Sequence, residues 1–178
     1  MDDDKLRARA DVSCYTAAPI ELQRYTVEIR KDDPTAPYVS NLLAHHLAEL
    51  QSVMGEHAQA LDASGLSAAS VTFWTAWQGE TLVGFGALKQ LDDAHGEVKS
   101  MRAAPAARGT GVGRAILQHI VAEARARKYM RLSLETGTAE LHAPAIALYR
   151  SAGFVSCEPF ASYQASPHNQ FMTLDLAD

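Results

Sequence analysis

The chain has 178 residues, of which 47% are hydrophobic and 21% charged, proportions typical of one globular domain. Its 16 lysines and arginines against 21 aspartates and glutamates give a formal net charge of −5, so the composition lacks the basic surface of a general nucleic-acid binder. The two cysteines, Cys14 and Cys157, stand far apart and outside any C-x-x-C spacing, which disfavours a disulfide scaffold and favours the reducing cytoplasm.

The N-terminal segment carries no recognisable targeting signal. Met1-Asp2-Asp3-Asp4-Lys5 has the wrong charge for a signal peptide, and no run approaches the roughly 18 to 20 apolar residues that a membrane span needs. Residues 1–23 are polar and aperiodic, so we predict a flexible leader there. Residues 24–178 are predicted to form a single domain without membrane association.

The first half of this domain predicts one amphipathic helix and several antiparallel strands. Leu43, Leu47 and Leu50 recur at three- and four-residue steps, which places them on one helix face. The turn Gln78-Gly79-Glu80 separates two segments rich in β-branched and aromatic residues, a pattern typical of a β-hairpin. The predicted elements are a strand at 25–30, the helix around 43–54, a short helical piece at 57–62, and strands at 71–77, 82–89 and 97–103.

The second half predicts alternating helices and strands after a glycine-rich loop. An apolar stripe through Val112, Ile116 and Ile120 indicates a helix that buries one face. The predicted elements are this helix at 112–128, a strand at 130–135, a helix from 142 or 143 to 151, and strands at 154–158 and 171–176. The order of elements predicts a mixed α/β (α+β) domain.

The glycine-rich loop is Arg108-Gly109-Thr110-Gly111-Val112-Gly113, between a strand and the start of a helix. Unpaired backbone amides and the positive end of the helix dipole favour an anion at such a place. The pattern therefore predicts a phosphate cradle, with Arg108 and Arg114 adding positive charge. A plain tight turn would use the same glycines and is the structural alternative.

Two nucleotide motifs fit this loop poorly. A P-loop needs Gly-Lys-Ser/Thr, but Gly113 is followed by Arg114 and Ala115. A dinucleotide fingerprint needs a third glycine where Arg114 stands. The preceding strands also predict an antiparallel meander, so a dinucleotide-dependent oxidoreductase is a distant alternative.

The loop resembles the pyrophosphate loop of the GNAT N-acetyltransferase superfamily, Arg/Gln-x-x-Gly-x-Gly/Ala, at Arg108, Gly111 and Gly113. A second block resembles the family's Asn-x-x-Ala-x-x-Leu-Tyr-x-x-x-Gly-Phe helix, with His142 in place of the asparagine. The matching residues of that block are Ala145, Leu148, Tyr149, Gly153 and Phe154. The stretches 95–101, 134–137 and 163–172 further resemble a bacterial subgroup of unassigned substrate.

The resemblance implies a GNAT-like fold: a central, mostly antiparallel twisted sheet of about six to seven strands, flanked by about four helices and splayed at the coenzyme A site. It also implies acetyl-CoA as co-substrate. The implied coenzyme-binding residues are Met101, Arg102 and Ala103 on the fourth strand, Arg108, Gly109, Thr110, Gly111, Val112, Gly113 and Arg114 in the loop, and His142. The acceptor expected is a primary amine, of a small molecule in preference to a protein or peptide, and exposed sheet edges permit a homodimer.

Direct attack by an amine needs a general base, because an alkylamine with a pKa near 10.4 is protonated at neutral pH. Glu97 is the first candidate: it precedes Arg108 at the spacing where the histone-acetylating branch of the superfamily carries its base glutamate. Glu135 is the alternative base, or a ligand of a cationic acceptor. A solvated strand edge for Glu97 and a structural cap for Glu135 are the non-functional alternatives.

The leaving thiolate, with a pKa near 8.5, needs a proton donor, and Tyr149 fills that role by the family match. Trp74 and Tyr163 are candidate acceptor-binding residues, and core or loop packing is the alternative for each. No H-E-x-x-H motif or Cys/His cluster is present, so we predict no metal site. A non-catalytic acyl-CoA-binding or regulatory module with the same loop is the alternative function.

Overall fold

A computed structural model describes residues 26–54 and 62–177 of the chain. The strands are β1 (Glu28–Lys31), β2 (Val71–Gln78), β3 (Thr81–Gln90), β4 (His95–Ala103), β5 (Arg131–Gly137), β6 (Val155–Ser156) and β7 (Asn169–Asp175). The helices are α1 (Pro37–Met54), α2 (Ala63–Leu66), α3 (Val112–Ala126) and α4 (Ala143–Ser151), with single 3₁₀ turns at Pro105–Ala107 and Glu140–His142. This order confirms the predicted succession of elements.

Some predicted bounds differ from the structure. The leader at 1–23 and most of the helical piece at 57–62 lie outside the described residues. Asp62 is the N-cap of α2, accepting a 2.8 Å hydrogen bond from the Gly65 amide. The helix predicted at 112–128 ends at Ala126, because Lys128 takes a left-handed conformation (φ 62°) that terminates it.

The described strands form one seven-stranded sheet in the order β1-β2-β3-β4-β5-β7-β6. Only the β4–β5 pair is parallel, and the five other neighbouring pairs are antiparallel. The mostly antiparallel sheet expected from the sequence is therefore confirmed. Among the described helices, none is long and apolar enough to cross a membrane.

Strands β4 and β5 separate in the middle of the sheet. They pair from His95 with Arg131 to Glu97 with Ser133, and the pairing ends there. A bulge in β4 lies just beyond this point, where Ser100 has φ 48° and the register with β3 shifts. The bulge and the lost pairing open a gap between residues 98–102 and 135–137, which is the splay that the resemblance implied.

Apolar residues cover both faces of the sheet. The stripe of α3 is buried against one face, where glycines of β3 allow close approach: a Cβ on Gly86 would lie 2.6 Å from Ile116 Cγ2. The opposite face packs against α1 and α2. The buried residues of that second cluster are Val39, Leu43, Leu66, Phe73, Phe85 and Ala87.

Candidate active site

The glycine-rich loop follows β4 and leads directly into α3. Gly109 has φ +78° and Gly111 has φ +95°, a region that residues with a Cβ rarely adopt. A Cβ placed on either glycine would meet no atom within 4 Å, so the loop surface is open. The Thr110 hydroxyl donates a 2.8 Å hydrogen bond to the Ala107 carbonyl and braces the loop from inside.

The first turn of α3 presents its backbone amides at this loop. The Ala115 amide donates to the Gly111 carbonyl at 3.0 Å, so the amides of Val112, Gly113 and Arg114 precede the first intrahelical bond. They lie at the positive end of the helix dipole. Amides, dipole and open glycines together fit a phosphate group.

Two arginines beside the loop are paired with α1. Arg108 Nη2 donates to both carboxylate oxygens of Glu49, at 2.9 and 3.1 Å. Arg102 forms an ion pair with the same carboxylate. Burial, followed by the charge of Arg108, lowers the pKa of Arg102 to about 10, so the guanidinium stays charged at neutral pH. Glu49 therefore anchors α1 to the loop and to β4.

The gap between β4 and β5 forms a cleft that we call the splay cleft. It lies beneath α1 and is closed on the other side by α4 and the turn before it. Its lining residues are His46, Leu50, Val98, Lys99, Ser100, Met101, Arg102, Glu135, Thr136, Gly137, Leu141, His142, Ala145 and Tyr149. Ala103, the last predicted residue of the β4 segment, follows at the strand end, where it pairs with Gly84.

Glu135 lies in the splay cleft on β5. Burial raises its pKa to about 7; the Lys99 charge opposes this shift and the Glu97 charge adds to it. Its buried Oε1 has no hydrogen-bond partner among the residues that the structure describes. The carboxyl is therefore divided between its two protonation states near neutral pH, the condition that suits a general base.

Tyr149 lies in the same cleft, on α4. Its side chain is buried, and its ring packs at 5.9 Å, centroid to centroid, against Phe154. Burial raises the pKa of Tyr149 to about 12, with a further contribution from Glu135. The hydroxyl is therefore protonated at neutral pH and can donate a proton.

Glu97 has a different environment. It is 1% exposed, and its Oε1 accepts a 2.6 Å hydrogen bond from the Tyr163 hydroxyl. Lys99 Nζ lies 3.4 Å from the same oxygen and donates to the Tyr163 oxygen at 2.5 Å. The structure thus joins Glu97 with Tyr163, whereas Glu135, Tyr149, Met101, Arg102 and His142 meet in the splay cleft.

A second cleft, which we call the loop cleft, lies over Glu97 and is walled by the segment between β6 and β7. Its lining residues are Lys89, Glu97, Lys99, Ala161, Ser162, Tyr163, Gln164, Ala165, Ser166 and Asn169. Lys99 lines both clefts. This residue therefore forms part of the wall of each cleft.

Trp74 lies in neither cleft. It is 4% exposed, and its ring packs edge-on against His119 of α3 at 5.1 Å. Strand alternation explains the placement, because Phe73 faces the α1 side of the sheet and Trp74 faces α3. Trp74 is therefore a core residue, which was the alternative to the acceptor-binding role considered from the sequence.

Two histidines of the splay cleft have unpaired nitrogens. His46 is 6% exposed, and neither ring nitrogen has a hydrogen-bond partner among the described residues. Burial, then the charge of Arg102, lowers its pKa to about 4, so the ring is neutral. His142 Nδ1 is likewise buried without a described partner, and its ring lies against Gly137, where a Cβ would stand 2.5 Å from His142 Cε1.

His46 and Lys99 were missed as site residues by the sequence reasoning. His46 occurs among the apolar positions of a helical stripe, where a histidine is polar and out of place. Lys99 shares a strand face with Glu97 by the period of two, which puts two charges on one inward face. Both signals lie in the sequence, although neither identifies a ligand.

His95, Ser133 and Arg131 form a further polar cluster, in which the serine is not activated as a nucleophile. His95 Nε2 and Ser133 Oγ are 2.8 Å apart, which resembles a serine–histidine pair. Arg131, which can only donate, lies 3.2 Å from His95 Nδ1, so Nδ1 accepts and Nε2 carries the hydrogen. The histidine therefore donates to Ser133 and cannot take its proton. Among the described residues, no three His, Cys, Asp or Glu side chains are grouped to hold a metal.

Comparison with known proteins agrees with this geometry. The sequence model of the Acetyltransferase (GNAT) family matches residues 30–154. The chain is 48% identical to the uncharacterized N-acetyltransferase YedL of Escherichia coli K12, over 84% of this chain and 95% of YedL. It is 45% identical to the uncharacterized N-acetyltransferase YsnE of Bacillus subtilis 168, over 84% of this chain and 100% of YsnE. The crystal structure of a putative acyl-CoA N-acyltransferase from Klebsiella pneumoniae superposes with a TM-score of 0.70 at 29% identity, covering 86% of this chain and 99% of that one.

Proposed function

The chain belongs to the acetyltransferase (GNAT) family and is an acetyl-CoA-dependent N-acetyltransferase, and from this premise we propose that it acetylates the primary amine of a small molecule by direct attack. One observation carries the proposal. A carboxyl with a pKa of about 7, Glu135, and a protonated hydroxyl, Tyr149, line one cleft where β4 and β5 separate.

The donor site is supported by the chemistry of the residues around the splay. The loop amides and the first turn of α3 would hold the pyrophosphate. The separated edge of β4, at Met101 and Arg102, would bind the amide-bearing arm that follows it. The unpaired nitrogens of His46 and His142 are further polar groups that this arm could satisfy. Acetyl-CoA supplies the activated thioester.

In the proposed reaction, the amine nitrogen attacks the thioester carbonyl carbon. The new carbon–nitrogen bond forms as the carbon–sulfur bond breaks, and no covalent enzyme intermediate is needed. Glu135 first takes one proton from the ammonium form of the acceptor and passes it to solvent, which leaves the neutral amine that attacks. The acylated nitrogen then loses a second proton to Glu135, and the Tyr149 hydroxyl gives its proton to the departing thiolate. Atoms and charges balance once Glu135 returns this second proton through solvent to Tyr149: the products are the amide, the free thiol and one proton released to solvent.

Glu135 is the favoured base, and Glu97 is the alternative. Glu97 is already bonded to Tyr163 and lies beside Lys99, whereas Glu135 has an unpaired oxygen in the cleft. The β6–β7 segment, including Tyr163, forms a wall of the loop cleft, and a cleft walled in this way supports a small acceptor over an extended peptide. We place the enzyme in the cytoplasm because its cysteine usage fits a reducing compartment.

The test is thiol release from acetyl-CoA over a panel of primary amines, with acetyl-CoA binding followed separately by calorimetry. We expect Glu135→Gln to lose about 100-fold or more in kcat, and Tyr149→Phe about 10-fold or more, while both bind acetyl-CoA like the parent. Glu97→Gln is the matched control. A larger loss of kcat in Glu97→Gln than in Glu135→Gln would mean that Glu97 is the base. Tight acetyl-CoA binding without turnover of any amine would favour the non-catalytic regulatory module.

A further inference from the structure

The loop cleft carries a fixed set of charges on one face of two strands. Lys89 of β3 pairs in register with Glu97 of β4, and Ala87 pairs with Lys99. Cross-strand partners share a face, so both lysines and the glutamate point to the same side of the sheet. The segment between β6 and β7 covers that side and supplies only uncharged side chains to the cleft.

The loop cleft and the cleft of the proposed reaction centre share one lining residue. Lys99 lines both clefts. The charges of Lys99 and Glu97 both act on the pKa of Glu135, which places the three groups within electrostatic reach of one another. An acceptor in the loop cleft would therefore have to extend past Lys99 to bring its amine to this carboxyl.

The local charge is opposite in sign to that of the whole chain. Two lysines and one glutamate line the loop cleft, a net charge of +1, whereas the chain carries −5. Glu97 is held by Tyr163 and the Lys99 ammonium, so it has little capacity left to attract a second cation. Lys89 is only partly buried and lies at the rim of the cleft.

We propose that the loop cleft is the acceptor site and that the acceptor carries a carboxylate beside its primary amine, as an amino acid does. This inference rests on the proposed function. The carboxylate would lie between the Lys89 and Lys99 side chains, and the amine on the adjoining carbon would face Glu135. The Ser162 hydroxyl also lines the cleft, whereas Ser166 and Asn169 bond each other and the backbone of the loop and hold its shape. A polyamine would meet unfavourable charge at the same place.

The experiment compares matched acceptors that differ by the carboxylate alone: L-leucine with isoamylamine, L-phenylalanine with phenethylamine, and L-histidine with histamine. Thiol release at saturating acetyl-CoA gives kcat/KM for each, and calorimetry gives binding of each without turnover. We expect at least one amino acid to exceed its amine by about 10-fold or more in both measurements. Lys89→Gln should reduce that ratio toward 1 by raising KM with kcat nearly unchanged, and exposed Lys31→Gln should not.

Each other outcome overturns the inference. Preference for the amine in every pair would mean that the acceptor carries no carboxylate, and the proposed function would still hold. Absence of binding by all three amino acids would exclude this acceptor class directly. If no thiol is released with any acceptor, the proposed function fails, while the binding comparison between parent and Lys89→Gln still decides whether the cleft takes a carboxylate.

Discussion

Glu97 and Glu135 are two carboxyl groups on adjacent strands that have different surroundings. Glu97 is bonded to Tyr163 and lies beside Lys99. Glu135 is partly buried with an unpaired oxygen, and its pKa is raised to about 7. Environments that separate two carboxyl groups in this way assign them different roles. The spacing to Arg108 pointed first to Glu97, whereas the contacts favour Glu135: Glu97 is the more buried of the two, but Tyr163 and Lys99 already satisfy its carboxylate. Such tertiary contacts cannot be read from spacing.

The pH dependence of the reaction should report Glu135. A base acts in its ionised form, so kcat/KM should rise as the pH rises through about 7. In Glu135→Gln, whose amide cannot titrate, this inflection should disappear along with most of the activity. The measurement is the pH profile of kcat/KM from pH 5.5 to 9, using an acceptor whose own amine titrates well above this range. Glu97→Gln should retain the inflection, moved to lower pH because the Glu97 charge raises the pKa of Glu135, and its loss there would contradict the assignment.

At the scale of elements, the glycine loop was predictable and the β4 bulge was not. Glycines before an amphipathic stripe carry a local signal, and Gly109 and Gly111 both have positive φ. The bulge falls on Ser100, a residue without special conformational preference, with φ 48°. Its position is set by the register with β3, a long-range property. The sequence therefore predicted the loop and its backbone conformation but not how the strands separate.

The loop predicts a site-selective loss of donor binding. Gly111→Asp adds a side chain and a negative charge beside the α3 amides, so we expect acetyl-CoA affinity to fall about 100-fold or more. Gly79→Asp is the matched control, because Gly79 also has positive φ (+58°) and open space but lies in the β2–β3 turn. Calorimetry with acetyl-CoA, NADH and ATP makes the comparison. Equal affinity of Gly111→Asp and Gly79→Asp for acetyl-CoA would mean that the loop is a structural turn and does not bind the donor.

At the scale of the whole molecule, the order of strands and helices followed from periodicity, because each element buries one face. The two clefts could not be inferred from periodicity, because each is lined by residues that are distant in sequence. Tyr163 reaches Glu97 and Lys99 across separations of 66 and 64 residues. The placement of Trp74 was unpredictable for the same reason. Alternation along β2 puts Trp74 and Phe73 on opposite faces of the sheet but does not indicate which face α3 covers. Composition likewise gave a net negative chain and concealed the positive loop cleft.

His46 should make the stability of the whole fold depend on pH. Its pKa is lowered from 6.5 to about 4 in the folded chain, so between these values the unfolded chain binds a proton that the folded chain does not. The stability contributed by the neutral ring is complete above pH 6.5 and is lost as the pH falls toward 4. From pH 7 to pH 5 this loss is about 2 kcal/mol, or roughly 4 to 8 °C in Tm.

Replacement of this ring separates its contribution from that of the other titrating groups. His46→Leu retains a side chain of similar bulk in the cleft and cannot take up a proton, so its Tm should fall less between pH 7 and pH 5 than that of the parent chain. His45→Leu, at the exposed neighbouring histidine, is the control and should follow the parent. Thermal unfolding at both pH values gives the comparison. An equal fall in Tm between pH 7 and pH 5 in His46→Leu and in the parent would mean that the folded protein accommodates a charged His46. The splay cleft would then hold more water around this ring than its unpaired nitrogens indicate.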